Sequence, residues 1–180
     1  MISEEKISEI KQVIETDSKN KNLDYFCTSR DILQARIDTY VLRTSNFIES
    51  AVIGEIGNNT FDHNWDFEAN HQRGAYFNTD YESDTVILAD FGRGIQASLK
   101  KVVSVSDDLE ALETGFTKHI SGRAPEQRGN GLKFVYETVI MKGWSFYFQS
   151  GNACCKIENG TAKFTKTKDV FTGCLAIIKF

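Results

Sequence analysis

The sequence predicts an α+β protein, a two-layer sandwich with helices on one face of a largely antiparallel sheet. Three observations point there. The N-terminal part repeats its apolar residues at helical spacing, the stretch after Asn64 becomes β-rich, and the C-terminal part breaks into β-branched and aromatic runs punctuated by Gly and Asn. A doubly wound parallel sheet is the alternative.

Ile7, Ile10, Val13 and Ile14 recur at helical spacing in a charged segment and predict an amphipathic helix over Ser3 to Thr16. The polar run Asp17 to Asn22 then breaks the chain. Ser29 or Asp31 caps a second helix carrying Ile32, Leu33 and Ile37, and a third begins near Thr44 or Ser45 and runs through Ile53. Gly74 to Thr79 and Thr85 to Ala89, separated by the turn-like Asp80 to Asp84, read as a hairpin. Helical segments follow at Ile95 to Val102, Asp107 to Gly115 and Leu132 to Met141. Four short strands close the chain: Trp144 to Gln149, Ala153 to Ile157, Ala162 to Thr167 and Cys174 to Phe180, with turns at Ser150-Gly151-Asn152 and Asn159-Gly160. No internal repeat or low-complexity linker interrupts this order.

A chain of 180 residues buries one substantial core, and a single domain is expected, with a helical part at 1–43 and a motif-bearing part at 44–180. Hydrophobic residues at 41% and charged residues at 26% suit a globular protein rather than a disordered one. No run approaches the roughly 18 apolar residues of a spanning helix, and the N-terminus lacks the pattern of a signal peptide, so cytoplasm is the expected compartment and no membrane partner is implied. A net charge of −4 offers no basic field for a phosphate backbone and argues against nucleic acid as the principal partner. Cys27, Cys154, Cys155 and Cys174 lack metal-type spacing and read as buried or free thiols, with Cys154 and Cys155 on opposite faces of a strand.

At about 100° per residue, Ile48, Ala51, Val52, Glu55, Asn59, Asp62 and His63 share one helical face. The stripe begins apolar and turns polar. Burying such groups unpaired costs several kcal/mol each, so the polar half needs a polar neighbour. Gly54 and Gly57 in the same helix suggest close approach of backbone or ligand. Three readings fit: a solvated helix end, a zinc site from Glu55, Asn59 and His63, or a hard cation such as Mg²⁺ on Asn59 with Glu55 as a base. Asn is a poor zinc ligand, and oxygen chemistry matches Mg²⁺ better.

Further on, the strand Thr85 to Ala89 runs into Asp90-Phe91-Gly92-Arg93-Gly94-Ile95. An acid at a strand end followed by spaced glycines either accepts a hydrogen bond from a base amino group or is a plain strand-to-helix turn. Arg128-Gly129-Asn130-Gly131-Leu132 opens a helical stretch, where exposed N–H groups and the helix dipole suit a phosphate chain. It has neither the Walker pattern nor the dinucleotide fingerprint. Between these motifs, Thr114 to Gln127 is either a mobile lid or a plain surface loop.

Glu-x-x-x-Asn on a helix, Asp-x-Gly-x-Gly after a strand, Gly-x-Gly-Leu opening a helix and a final strand, in that order, resemble the GHKL superfamily of ATP-binding domains over roughly Ile48 to Phe180. The resemblance implies the Bergerat fold, with a mixed, mostly antiparallel sheet, and implies ATP and Mg²⁺ as ligands. By it, Glu55 is the general base, Asn59 the Mg²⁺ ligand and Asp90 the adenine-reading carboxylate. Gly92, Gly94 and Ile95 form the close-packing turn, Gly129, Asn130, Gly131 and Leu132 the phosphate-facing helix start, and Thr117, Lys118, Arg123 and Arg128 belong to the ATP lid. The run from Glu55 to His63 looks most similar to small anti-sigma-factor serine kinases, and the chain's size offers no room for a histidine kinase's dimerisation domain. Two positions depart from the family pattern: Thr60 replaces a small alanine after Asn59, and Gly173-Cys174 replaces Gly-Thr, with Thr172 displaced by one.

The resemblance therefore implies an ATP-dependent serine/threonine kinase acting on a small regulatory protein, and it is compatible with a homodimer. The alternatives are a nucleotide-gated binding module that transfers no phosphate, using a surface such as the N-terminal helix, and a slow ATPase.

Overall fold

A computed structural model describes residues 1–20, 24–63, 74–118 and 130–180. Its elements in chain order are α1 (Glu4–Asn20), β1 (Phe26–Cys27), α2 (Arg30–Thr44), α3 (Phe47–His63), β2 (Ala75–Asp80), β3 (Thr85–Asp90), α4 (Gly94–Leu99), α5 (Asp108–Thr117), α6 (Gly131–Lys142), β4 (Ser145–Glu158) and β5 (Thr161–Lys179). The protein is α+β, and the five strands among the described residues form one open sheet in the order β1-β2-β3-β5-β4.

Local chemistry sets the element ends. Ser29 caps α2 by accepting the Ile32 N–H at 3.3 Å, and Asp107 caps α5 by accepting the Glu110 N–H at 2.9 Å. Asn46 and Glu49 cap the start of α3 reciprocally: Asn46 Oδ1 accepts the Glu49 N–H while Asn46 Nδ2 donates to the Glu49 carboxylate. Buried Glu49 also accepts from the Tyr40 hydroxyl, which ties α3 to α2.

Every described strand pair is antiparallel, whereas the resemblance implies a mixed sheet. The hairpins β2-β3 and β4-β5 account for two of these pairs, and β5 returns beside β3 with Asp90 opposite Cys174. Four C-terminal strands were expected, but there are two long ones. Asn159-Gly160 does turn the chain, whereas Ser150-Gly151-Asn152 shifts the pairing register inside β4. The Asp108 carboxylate receives the Asn152 N–H at 2.9 Å, holding that irregularity against the start of α5.

Because side chains alternate along a strand, the sheet has two apolar faces. One carries Phe77, Val86, Leu88, Phe146, Phe148, Ala176 and Ile178 and packs under α2, α3, α5 and α6, with Phe116 set edge-on to Phe146 and Phe148. The other carries Tyr76, Ala89, Tyr147, Leu175 and Ile177. All helices were expected on one face, yet α1 covers this second one through Ile7, Ile10 and Ile14. An uncovered second face would leave those strand residues in water. Each isoleucine buried there is worth about 1.5–3 kcal/mol. Lys11 pins the helix with a 2.5 Å ion pair to Asp169 of β5. Cys154 and Cys155 lie in the two different clusters, on opposite faces as their adjacency requires, and all four cysteines are free thiols. No described helix is long and apolar enough to cross a membrane.

Candidate functional site

The polar half of α3 meets two other segments that are distant in sequence. This helix packs against α2, α6, β2 and β3. Glu55 is exposed, and its carboxylate lies against Gly131, the first residue of α6, so close that a Cβ built on Gly131 would collide with Glu55 Oε2. The first N–H groups of α6 have no intrahelical carbonyl to bond, so the partial positive charge of the helix start faces that carboxylate. Asn59 follows one turn later and is half-buried.

Thr60, beside Asn59, reaches the end of β3. Its hydroxyl donates to Asp90 Oδ2 at 3.5 Å, and both residues are buried. The other oxygen, Oδ1, accepts the Gly92 N–H at 2.8 Å. Across the ladder, Gly173 holds φ near +90°, and a Cβ there would run into the Asp90 backbone and carboxylate. Only glycine allows β5 to pass this close to the acid. The half-buried Cys174 thiol next to it is held well above its ordinary pKa, first by burial and then by the neighbouring Asp90 charge, so it stays protonated.

Ser150 is a residue that sequence reasoning missed, having read it as part of a turn. Its buried hydroxyl accepts the Ile95 N–H at 2.9 Å and donates to the Gly173 carbonyl at 3.0 Å. This stitches the turn after Asp90 to β4 and β5. A Cβ on Gly94, where φ is +74°, would strike that same hydroxyl. The turn therefore owes its glycine to its left-handed backbone and to the serine beneath it.

The two glycine motifs converge on α5. Ile95 of α4 and Leu132 of α6 both reach the Cα of Gly115, with a Cβ there falling 3.6 Å and 3.7 Å from their side chains. Both pack against the core. Asp90, Gly92, Gly94 and Ile95 thus share one end of the molecule with Glu55, Asn59, Asn130, Gly131 and Leu132. Thr117 closes α5 with an exposed side chain whose hydroxyl donates to the Glu113 carbonyl at 2.7 Å, and Lys118 follows it. Arg123, Arg128 and Gly129 lie outside the described residues.

Other members of the stripe go elsewhere. Asp62 is paired with Arg30 of α2 at 2.6 Å. The Cβ direction of Gly54 is open, while Gly57 sits tightly on Leu33 and Leu88, so close approach applies to the second glycine only.

The arrangement has an exposed carboxylate at a helix start, a half-buried amide one turn away and a fixed buried carboxylate beyond it. It can move a proton at the first and accept an N–H donor at the last. No protein-family model and no curated protein matches the chain.

Proposed function

We propose that this chain is an ATP- and Mg²⁺-binding protein of the GHKL type with a Bergerat fold, acting in signalling as a serine/threonine kinase on a small regulatory protein in the cytoplasm. The observation that carries the reading is the meeting of Glu55 with Gly131 while the adjacent turn of the same helix holds Asp90. Three motifs far apart in sequence supply a base, an oxygen ligand, a helix start and an acceptor around one end of α3.

The donor set fits the ligands. Asn59 offers the neutral oxygen that Mg²⁺ accepts alongside phosphate and water. Gly131 adds no side chain to the start of α6, where the exposed Glu55 carboxylate lies, so a phosphate group would take its place at the helix start only as that side chain turns aside. Asp90 would accept a hydrogen bond from the amino group of the base, and Gly92, lacking a side chain, would let the backbone pass close to the ring. Bound ATP with Mg²⁺ would supply the transferable phosphoryl group and neutralise much of its charge. Glu55 takes the proton of an incoming serine or threonine hydroxyl, and its exposure lets a protein substrate reach it. By the resemblance, Lys118, with Arg123 or Arg128 from outside the described residues, would offset the developing negative charge.

Incubation with labelled ATP and co-purifying proteins tests this. A phosphorylated partner protein, lost with Glu55→Ala while ATP binding persists, is the expected result. Unchanged transfer in Glu55→Ala rejects the assigned base. ATP-dependent association without transfer would make the chain a nucleotide-gated module, and phosphate release by the pure protein alone would make it an ATPase.

A further inference from the structure

A helical threonine has an easy use for its hydroxyl, which is to donate to the carbonyl four residues back. Thr16, Thr39, Thr44 and Thr117 all do so, to Gln12, Ala35, Tyr40 and Glu113 at 2.7–3.0 Å. Thr60 directs its hydroxyl to Asp90 Oδ2 on another element. With Gly92 on Oδ1 and the Cys174 thiol of β5 also bonded to the acid, Thr60 is the contact to this buried carboxylate that comes from α3. A carboxylate's terminal torsion is otherwise broad, so these bonds set the plane in which the carboxylate lies.

We infer that Thr60 is a positioning residue for base selection: by orienting Asp90, it makes the site prefer purine nucleotides with a 6-amino group over those with a 6-oxo group. This rests on the reading of Asp90 as the base-contacting acid. An ionised carboxylate only accepts hydrogen bonds, so an amino group satisfies it, whereas a ring carbonyl sets two acceptors against each other. Selection of this kind is strong only when the acceptor cannot turn away from the mismatch. Thr60 comes directly after Asn59, so the same helical turn that offers the metal ligand also sets the acid.

Calorimetric titration with the Mg²⁺ complexes of ATP and inosine triphosphate tests the inference on the wild type, Thr60→Val, Thr60→Ser and Asp90→Asn. The wild type should prefer ATP. Thr60→Val should narrow that preference roughly fivefold, the scale of one neutral hydrogen bond, mainly through weaker ATP binding, and Thr60→Ser should restore it. Equal weakening of both nucleotides by Thr60→Val, as from a packing defect, overturns the inference, as does an unchanged preference. Asp90→Asn separates the two levels. If it narrows the preference and Thr60→Val does not, only the role of Thr60 fails. If the wild type does not bind ATP, or Asp90→Asn changes neither affinity, the reading of Asp90 fails and this inference with it. Should Thr60→Val fail to give a cooperative thermal transition, Thr60→Ala is judged by the same criteria.

Discussion

Gly131→Ala probes the contact on which the functional reading depends. A methyl group there meets Glu55 Oε2 head-on, with Glu55 Cδ at 3.3 Å and Glu55 Cβ at 3.8 Å as its next neighbours. All three atoms belong to one flexible side chain with an exposed head. What must yield is a carboxylate, not backbone or core. Moving it off its rotamer costs about 0.5–1.5 kcal/mol. Alanine in place of glycine in a helix gains up to about 1 kcal/mol, and less at the first helical position. The two effects nearly cancel, so stability should change by no more than about 1 kcal/mol, which for a chain of this size is a shift of about 2–4 °C in melting temperature. The displaced carboxylate should cost far more in chemistry, because a misplacement of about 1 Å can lower a rate on the order of 100-fold. Thermal melting and single-turnover phosphate transfer or release, compared with Glu55→Gln, measure both. Loss of more than about 10 °C would mean that the contact does not yield, since that is several kcal/mol here. Unchanged turnover would mean that the position of Glu55 is irrelevant to the reaction.

Other expectations concern the frame around the site. Tyr40→Phe leaves buried Glu49 with one donor fewer and should cost about 1–3 kcal/mol by denaturant unfolding; no loss would make that network dispensable. Ser29→Ala removes the cap of α2 and should cost about 1 kcal/mol, read in the same assay, with Ser29→Asp retaining stability. Burial and Glu49 raise the folded-state pKa of Tyr40, and burial raises that of Tyr147, both far above 10.0. Burial pushes Tyr76 up to about 12. For a raised folded pKa, the stabilisation is complete below the unfolded value and is lost as pH rises towards the folded one. The melting temperature should therefore fall as pH passes 10.0, and less steeply in Tyr40→Phe relative to its own neutral-pH value; a flat alkaline profile would contradict the burial of these phenols. Cys174, held protonated, should resist iodoacetamide at pH 8 as followed by mass of the peptide that carries it, and rapid alkylation at that residue would contradict its environment.

The legible part of this molecule was the part with a period. The isoleucines of α1 and the stripe of α3 predicted their helices because each has one apolar face, and β2 and β3 were marked by β-rich runs on either side of a turn, as suits strands buried on both sheet faces. Periodicity says that a helix has an apolar face but not which sheet face it meets, which is why α1 was expected beside the other helices. The pair Phe26–Cys27 is too short to show a pattern and was missed as β1. Ser150-Gly151 carries turn chemistry, but its neighbours on β5 keep the strand paired through the irregularity.

Within the site, Glu55, Asn59, Asp90 and Gly131 were visible because polar groups and glycines broke an apolar pattern. Ser150 was not, since its role exists only where β4, β5 and the Gly94 turn meet. Thr60 and Cys174 stood out only as departures from a family pattern. The antiparallel register that sets Cys174 opposite Asp90, and the helix rotation that turns Thr60 towards it, place both beside the same carboxylate.

The central claim is nucleotide binding at this end of α3, and titration of the protein with ATP by calorimetry, with and without Mg²⁺, tests it most directly. Saturable binding at one site per chain, strengthened by Mg²⁺ and weakened at least tenfold by Asp90→Asn, is the predicted result. No saturable heat in the presence of Mg²⁺, or an affinity unchanged by Asp90→Asn, would contradict it.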